Sequence, residues 1–196
     1  MFGDMGYPRD QARTVEWRSM TGSSPHGCSV VVRPAGVDDV DAIIKVHVRG
    51  RGAYPDGFLP GEQVTGDCRG LRERIGSPGF SVLCAELGAE VVGFVVIGPC
   101  VYPDPHPATI SELRMMLVDP DHHDRGIDTL LHDAAVRAWQ ARAVESARLW
   151  VWECNKRAKT FYARLGWQSD GARRPDDPRI GEHRMIGYRL VVPPIG

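Results

Sequence analysis

Leu149-Trp-Val-Trp-Glu-Cys-Asn155-Lys-Arg-Ala158-Lys-Thr-Phe161-Tyr162-Ala-Arg-Leu-Gly166-Trp167 joins two kinds of segment. Its first part continues a run, Ala147 to Glu153, that reads as a strand. In its second part Ala158, Phe161, Tyr162 and Leu165 recur at helical spacing, so a helix follows with these side chains on one face. Gly166 then takes the place where a left-handed residue closes a helix. Working outward, Ile127, Leu130, Leu131, Ala134, Ala135, Ala138 and Trp139 mark an earlier amphipathic helix that opens after Gly126. Ahead of it, Ile110 to Val118 reads as a strand that stops at Asp119-Pro120, because proline cannot donate to a ladder.

Further out, Phe80 to Glu86 and Glu90 to Ile97 are β-branched runs joined by Leu87-Gly88-Ala89, which predicts a hairpin. Ser29 to Pro34 predicts a first strand. A helix follows with Asp38 or Asp39 as its cap and Val40, Ile43, Ile44 and Val46 to Val48 on its buried face. Arg51 to Asp67 is rich in Gly, Pro, Tyr and Asp and reads as a loop, with a short helix at Leu71 to Ile75. His183 to Val191 supplies a last strand. The resulting order, β α α β β β α β α β, mixes hairpins with helical crossovers and predicts an α/β fold with a partly antiparallel sheet. Residues 1–27, with four glycines and two prolines, read as a flexible N-terminal extension, and 28–196 as one domain.

Composition narrows the function. With 24 basic and 25 acidic side chains and a formal charge of −1, the chain of 196 residues has no broad electrostatic grip for nucleic acid or an anionic membrane surface. The best apolar run, Val91 to Val101, is too short to span a bilayer and is broken by Gly93, Gly98 and Pro99. Five scattered cysteines make a poor disulfide framework, and the start of the chain lacks the order of a signal peptide, so a reducing cytoplasm is expected. Asp121-His122-His123-Asp124 has metal-binding side chains, but adjacent histidines rarely converge on one ion, and no metal is expected. His132 reads as a helix surface residue.

The strand, the turn Asp119 to Arg125 and the helix opening at Gly126 form a unit whose backbone N–H groups and positive dipole end suit a phosphate. Alone, that is a weak signal. Asn155, Ala158, Phe161-Tyr162 and Gly166-Trp167, at these intervals, resemble the GNAT acetyltransferase superfamily's Asn-x-x-Ala-x-x-Phe-Tyr-x-x-x-Gly-Phe pattern. Glu112 to Pro120 is similar to the strand before that family's pyrophosphate loop, and the likeness covers residues 29 to 191. It implies a GNAT fold, with a mixed central sheet whose strands splay to admit coenzyme A and helices on both faces. It also implies direct acetyl transfer from acetyl-CoA to a primary amine of a small molecule or peptide, with a homodimer as the assembly it admits.

The resemblance assigns roles residue by residue. Tyr162 matches the general acid that protonates the departing thiolate, against the plain reading of a core aromatic such as Phe161. Asn155 matches a contact to the cofactor or to that tyrosine, and a helix cap explains it equally. Glu112 matches the general base, against an exposed strand glutamate. Leu117 and Val118 would offer main-chain groups to the pantetheine arm, and His123, Asp124, Arg125, Gly126, Ile127 and Asp128 would form the pyrophosphate loop. Arg49 to Leu59, with Tyr54, Asp56 and Phe58, would wall the acceptor site, although a solvated loop explains these residues equally, and Cys154 would be structural.

This loop departs from the family's Gln/Arg-x-x-Gly-x-Gly/Ala: His123 replaces Gln or Arg, Asp128 replaces Gly or Ala, and Asp124 stands where glycine is frequent. Two like charges about 4 Å apart repel by roughly 4 kcal/mol at an effective dielectric near 20. The carboxylates therefore oppose a diphosphate unless exposure, or Arg125 with a protonated His123, offsets them; they read equally as caps that complement the helix dipole. The alternative is a catalytically altered GNAT-fold binding or interaction protein with a degraded loop.

Overall fold

A computed structural model describes residues 20–23, 29–52, 61–101, 110–174 and 184–194. Among the described residues eight strands form one sheet: β1 (Met20–Ser23), β2 (Ser29–Pro34), β3 (Ser81–Leu87), β4 (Glu90–Gly98), β5 (Ile110–Val118), β6 (Ser146–Trp152), β7 (Gln168–Arg173) and β8 (Met185–Val191). Their order across the sheet is β1-β2-β3-β4-β5-β6-β8-β7. Every neighbouring pair is antiparallel except β5 and β6, which are parallel. The helices are α1 (Val40–Gly52), α2 (Gly61–Arg74), α3 (Ile127–Ala141) and α4 (Lys156–Arg164). The mixed sheet predicted from the hairpins and crossovers is the one observed.

Strands β3 and β4 are apolar almost throughout because both of their faces are buried. Leu83, Ala85, Val95 and Ile97 pack with Leu131, Ala135 and Trp139 of α3 and Tyr162 of α4. The alternate residues Val82, Cys84, Phe94 and Val96 pack with Ile43 and Val46 of α1 and Leu71 of α2. Alternating side chains thus build two cores, with α3 and α4 on one face and α1 and α2 on the other.

Four local readings change. The span read as a loop, Arg51 to Asp67, runs into α2, which begins at Gly61. This helix has weak intrinsic propensity, and burial of Leu71 against the sheet holds it. Strand β7, Gln-Ser-Asp-Gly-Ala-Arg, has no apolar alternation to announce it, and it forms at the sheet edge by pairing with β8. Met20–Ser23, placed in the flexible extension, pairs with β2, while residues 1–19 and 24–28 lie outside the described residues. Asp39 ends a short 3₁₀ turn rather than opening a helix, and its carboxylate takes the Gly36 N–H and the fork of Arg33. No described helix is long and apolar enough to cross a membrane.

Candidate functional site

One residue too many in β5 opens the site. Across the β4–β5 ladder Val96 faces Met115 while Ile97 faces Leu113, so Arg114 is bulged out. A bulge bends its strand and sharpens the local twist. It also flips the facing of the later residues of β5, so Met115 and Leu117 join the α1–α2 core whereas Leu113 belongs to the other. The parallel pairing of β5 with β6 lasts only from Ile110–Ser146 to Leu113–Leu149, although β5 runs on to Val118 and β6 to Trp152. Past that point the strands diverge. The gap is a cavity of about 650 Å³, bounded by Met116, Leu117 and Val118 of β5, the loop into α3, and the start of α4.

The loop wall is held by charge. At its base, Arg49 of α1 donates to both Asp119 oxygens, at 2.7 and 3.2 Å, and to Asp121 at 2.6 Å. This guanidinium keeps the Asp119 carboxyl below its ordinary range despite partial burial. A ring nitrogen of His123, Nε2, lies 3.1 Å from the Val118 carbonyl, turning the imidazole back onto the end of β5. Asp124 has φ +60°, a left-handed conformation that glycine enters freely and aspartate tolerates, which explains its exchange for glycine at this position. Gly126, at φ +74°, caps α3 without a side-chain hydrogen bond. Ahead of Ile127 the helix therefore presents its positive dipole end toward the cavity.

The two suspect carboxylates have separate fates. Asp128 accepts from the Thr129 N–H at 2.9 Å, the helix-capping behaviour that competes with a phosphate for that amide. Asp124 reaches across the cavity, and Arg157 of α4 donates to it at 2.9 Å.

On the α4 wall, Asn155 caps the helix: its Oδ1 accepts from the Ala158 N–H at 2.9 Å. Asn155 also lines the cavity. Tyr162 lines the cavity and belongs to the core, 8% exposed, with its ring edge-on to Phe161 and Trp167 at centroid separations of 5.3 and 5.8 Å. Trp167 in turn donates its indole N–H to His132 Nε2 at 3.0 Å. His132 is thus buried behind the tyrosine rather than exposed on α3, because an indole N–H in a core needs an acceptor.

Glu112 is also buried, at 3% exposure, which excludes an exposed strand glutamate. Its carboxylate accepts from the Val101 N–H at 3.1 Å and pairs with Arg114 Nε at 3.2 Å. Burial raises its pKa, with Arg114 opposing the shift.

Leu117, Val118, His123, Asp124, Ile127, Asp128, Asn155 and Tyr162 come together around the cavity, whereas Glu112, Arg125 and Gly126 are outside its lining. Arg125 is exposed on the turn. The expected acceptor wall falls mostly on residues 53–60, outside the described residues. Phe161, read as core, and Cys154, read as structural, both line the cavity. Lys156 and Arg157 were missed, although two cations and no acid in a helix's first turn oppose its dipole and signal an anion nearby. Among the described residues no His, Cys, Asp and Glu side chains group to hold a metal ion.

Residues 78–169 match the family model described as an acetyltransferase (GNAT) domain. An uncharacterised N-acetyltransferase from Archaeoglobus fulgidus is 29% identical over 151 residues, covering 76% of this chain and 97% of the relative. Among solved structures, a GNAT-family protein from Desulfovibrio desulfuricans superposes with a TM-score of 0.67 at 20% identity, covering 84% of this chain and 99% of that one. The PaiA N-acetyltransferase from Thermoplasma acidophilum, crystallised with coenzyme A, gives 0.65 at 18% identity, covering 81% and 98%. A bulged strand, a sheet that parts beside it and a helix N-terminus facing the gap accompany these likenesses: the chain has the fold of the GNAT acetyltransferases and, over residues 78–169, is similar to them in sequence.

Proposed function

We propose that the protein transfers an acetyl group from acetyl-CoA directly to a primary amine of a small molecule or peptide. The observation that carries this reading is the cavity between the end of β5 and the start of α4, where the loop, Asn155 and Tyr162 converge. Its volume of about 650 Å³ falls within the roughly 300–1,000 Å³ of small-molecule sites. Its lining divides chemically, with Met116, Leu117, Val118, Ala158 and Phe161 suited to an alkyl-amide arm and the α3 N-terminus to phosphate.

When bound, acetyl-CoA supplies an acyl group activated as a thioester. The free N–H edge of β5 beyond Leu113 orients the arm, since β6 no longer pairs with it there. The amine nitrogen forms its bond to the acyl carbon as the carbon–sulfur bond breaks. Tyr162 donates its phenolic proton to the departing sulfur, and Glu112 receives the surplus amine proton through water because its carboxylate stands off the cavity wall. A buried carboxyl with a raised pKa suits that exchange. Cys154 forms no acyl intermediate.

Isothermal titration of the full chain with acetyl-CoA, followed by a thiol-release assay over a panel of amines, tests the proposal. Saturable binding and amine-dependent release of free coenzyme A are expected. No heat at millimolar acetyl-CoA would leave the fold serving as a binding or interaction module.

A further inference from the structure

Arg157 is out of place by local rules, and Asp124 accounts for it. Asp124 puts a carboxylate into a loop suited to phosphate, while Lys156 and Arg157 put two cations at the positive end of α4. The two walls of the cavity meet through them, Arg157 Nη2 lying 2.9 Å from Asp124 Oδ1. Their side chains are 64% and 86% exposed. A pair so exposed contributes about 0–1 kcal/mol, weak enough to break for a stronger anion. Guanidinium bonds to phosphate are among the stronger hydrogen bonds, and a phosphate at the α3 N-terminus would lie beside the carboxylate that Arg157 now holds.

We propose that Arg157 is a ligand for a phosphate of the acyl donor, and that Asp124 is the placeholder anion from which that phosphate takes it. This rests on the acetyl-CoA reading of the same cavity and extends it. In the free protein the carboxylate parks the guanidinium across the mouth. On binding, the guanidinium exchanges carboxylate for phosphate and stays between the two anions, offsetting their repulsion. The donor class is thereby set: a thioester on a phosphorylated nucleotide carrier, in preference to the same thioester on phosphate-free pantetheine. Glycine at position 124 would leave the loop's conformation but remove this hold, so the departure from the family's pattern becomes a tuning of donor affinity.

Titration calorimetry on the full chain with coenzyme A and with S-acetylpantetheine tests the exchange in wild type, Arg157→Met and Asp124→Asn. Arg157→Met should weaken coenzyme A about tenfold, the worth of one charge-assisted contact, and leave S-acetylpantetheine unchanged. Asp124→Asn should tighten coenzyme A about threefold by removing the competitor. Wild type that binds coenzyme A while Arg157→Met stays within about twofold of it overturns the exchange alone. So does an equal loss for both ligands, which would mean that Arg157 shapes the cavity, and so does weaker coenzyme A binding in Asp124→Asn. Wild type that binds no coenzyme A at millimolar concentration overturns the acetyl-CoA reading together with it.

Discussion

Among the described residues that line the cavity Tyr162 has the one phenol, and its ring is clamped between Phe161 and Trp167. A group that acts only as sulfur departs should contribute to turnover and little to ground-state affinity. Tyr162→Phe is therefore expected to lower kcat about 100-fold while the acetyl-CoA Kd stays within about twofold, read by steady-state kinetics beside calorimetry. An unchanged kcat would remove the acid role. The sequence singles out this residue through the resemblance alone, since a tyrosine on an apolar helical stripe otherwise reads as a core aromatic. Arg125 matches the loop pattern by position and is exposed on the turn, while the cationic side chains that line the cavity, Lys156 and Arg157, come from another element. His132 was misread because its acceptor role needs Trp167, 35 positions away.

At the level of elements, α4 shows local chemistry and site geometry sharing one residue. Asn155 Oδ1 satisfies the Ala158 amide, and Asn155→Ala should destabilise the protein by about 1 kcal/mol, measured by urea unfolding. Because the first turn of α4 carries the cavity's Lys156 and Arg157, the same change should also weaken coenzyme A binding, which separates it from a purely structural cap elsewhere. Strong periodicity made α3, α4, β3 and β4 readable. Strand β7 and helix α2 were not, since β7 is polar and forms only by pairing with β8, while α2 depends on Leu71 reaching the core. The β5 bulge left no pattern at all, because a one-residue offset exists only relative to the partner strand.

At the scale of the molecule, each of the two cores encloses one histidine among the described residues. His47, fully buried beside Phe94, has no hydrogen-bond partner on either ring nitrogen among the described residues, with Asp67 3.8 Å away. Burial, aided by the nearby Arg51, pushes its pKa down to about 4. Burial also lowers that of His132, against the opposing carboxylate of Asp133. Both are neutral in the folded state, so the unfolded chain binds protons first. Their stabilising effect is complete above the unfolded value near 6.5 and is lost as pH falls, for His47 down to about 4. Urea midpoints should therefore drop between pH 7 and pH 5, and His47→Leu should remove a large part of that slope. An equal slope in the variant would show that other groups govern acid lability. By itself the sequence determined the types of most elements, the mixed sheet and the family pattern, because periodicity, turn residues and caps act over a few neighbouring positions. Only the tertiary structure decided that β5 and β6 part after Leu113, that Glu112 stands off the cavity and that Arg157 meets Asp124. Each of those depends on the register and separation of segments far apart in the chain, which no local pattern encodes.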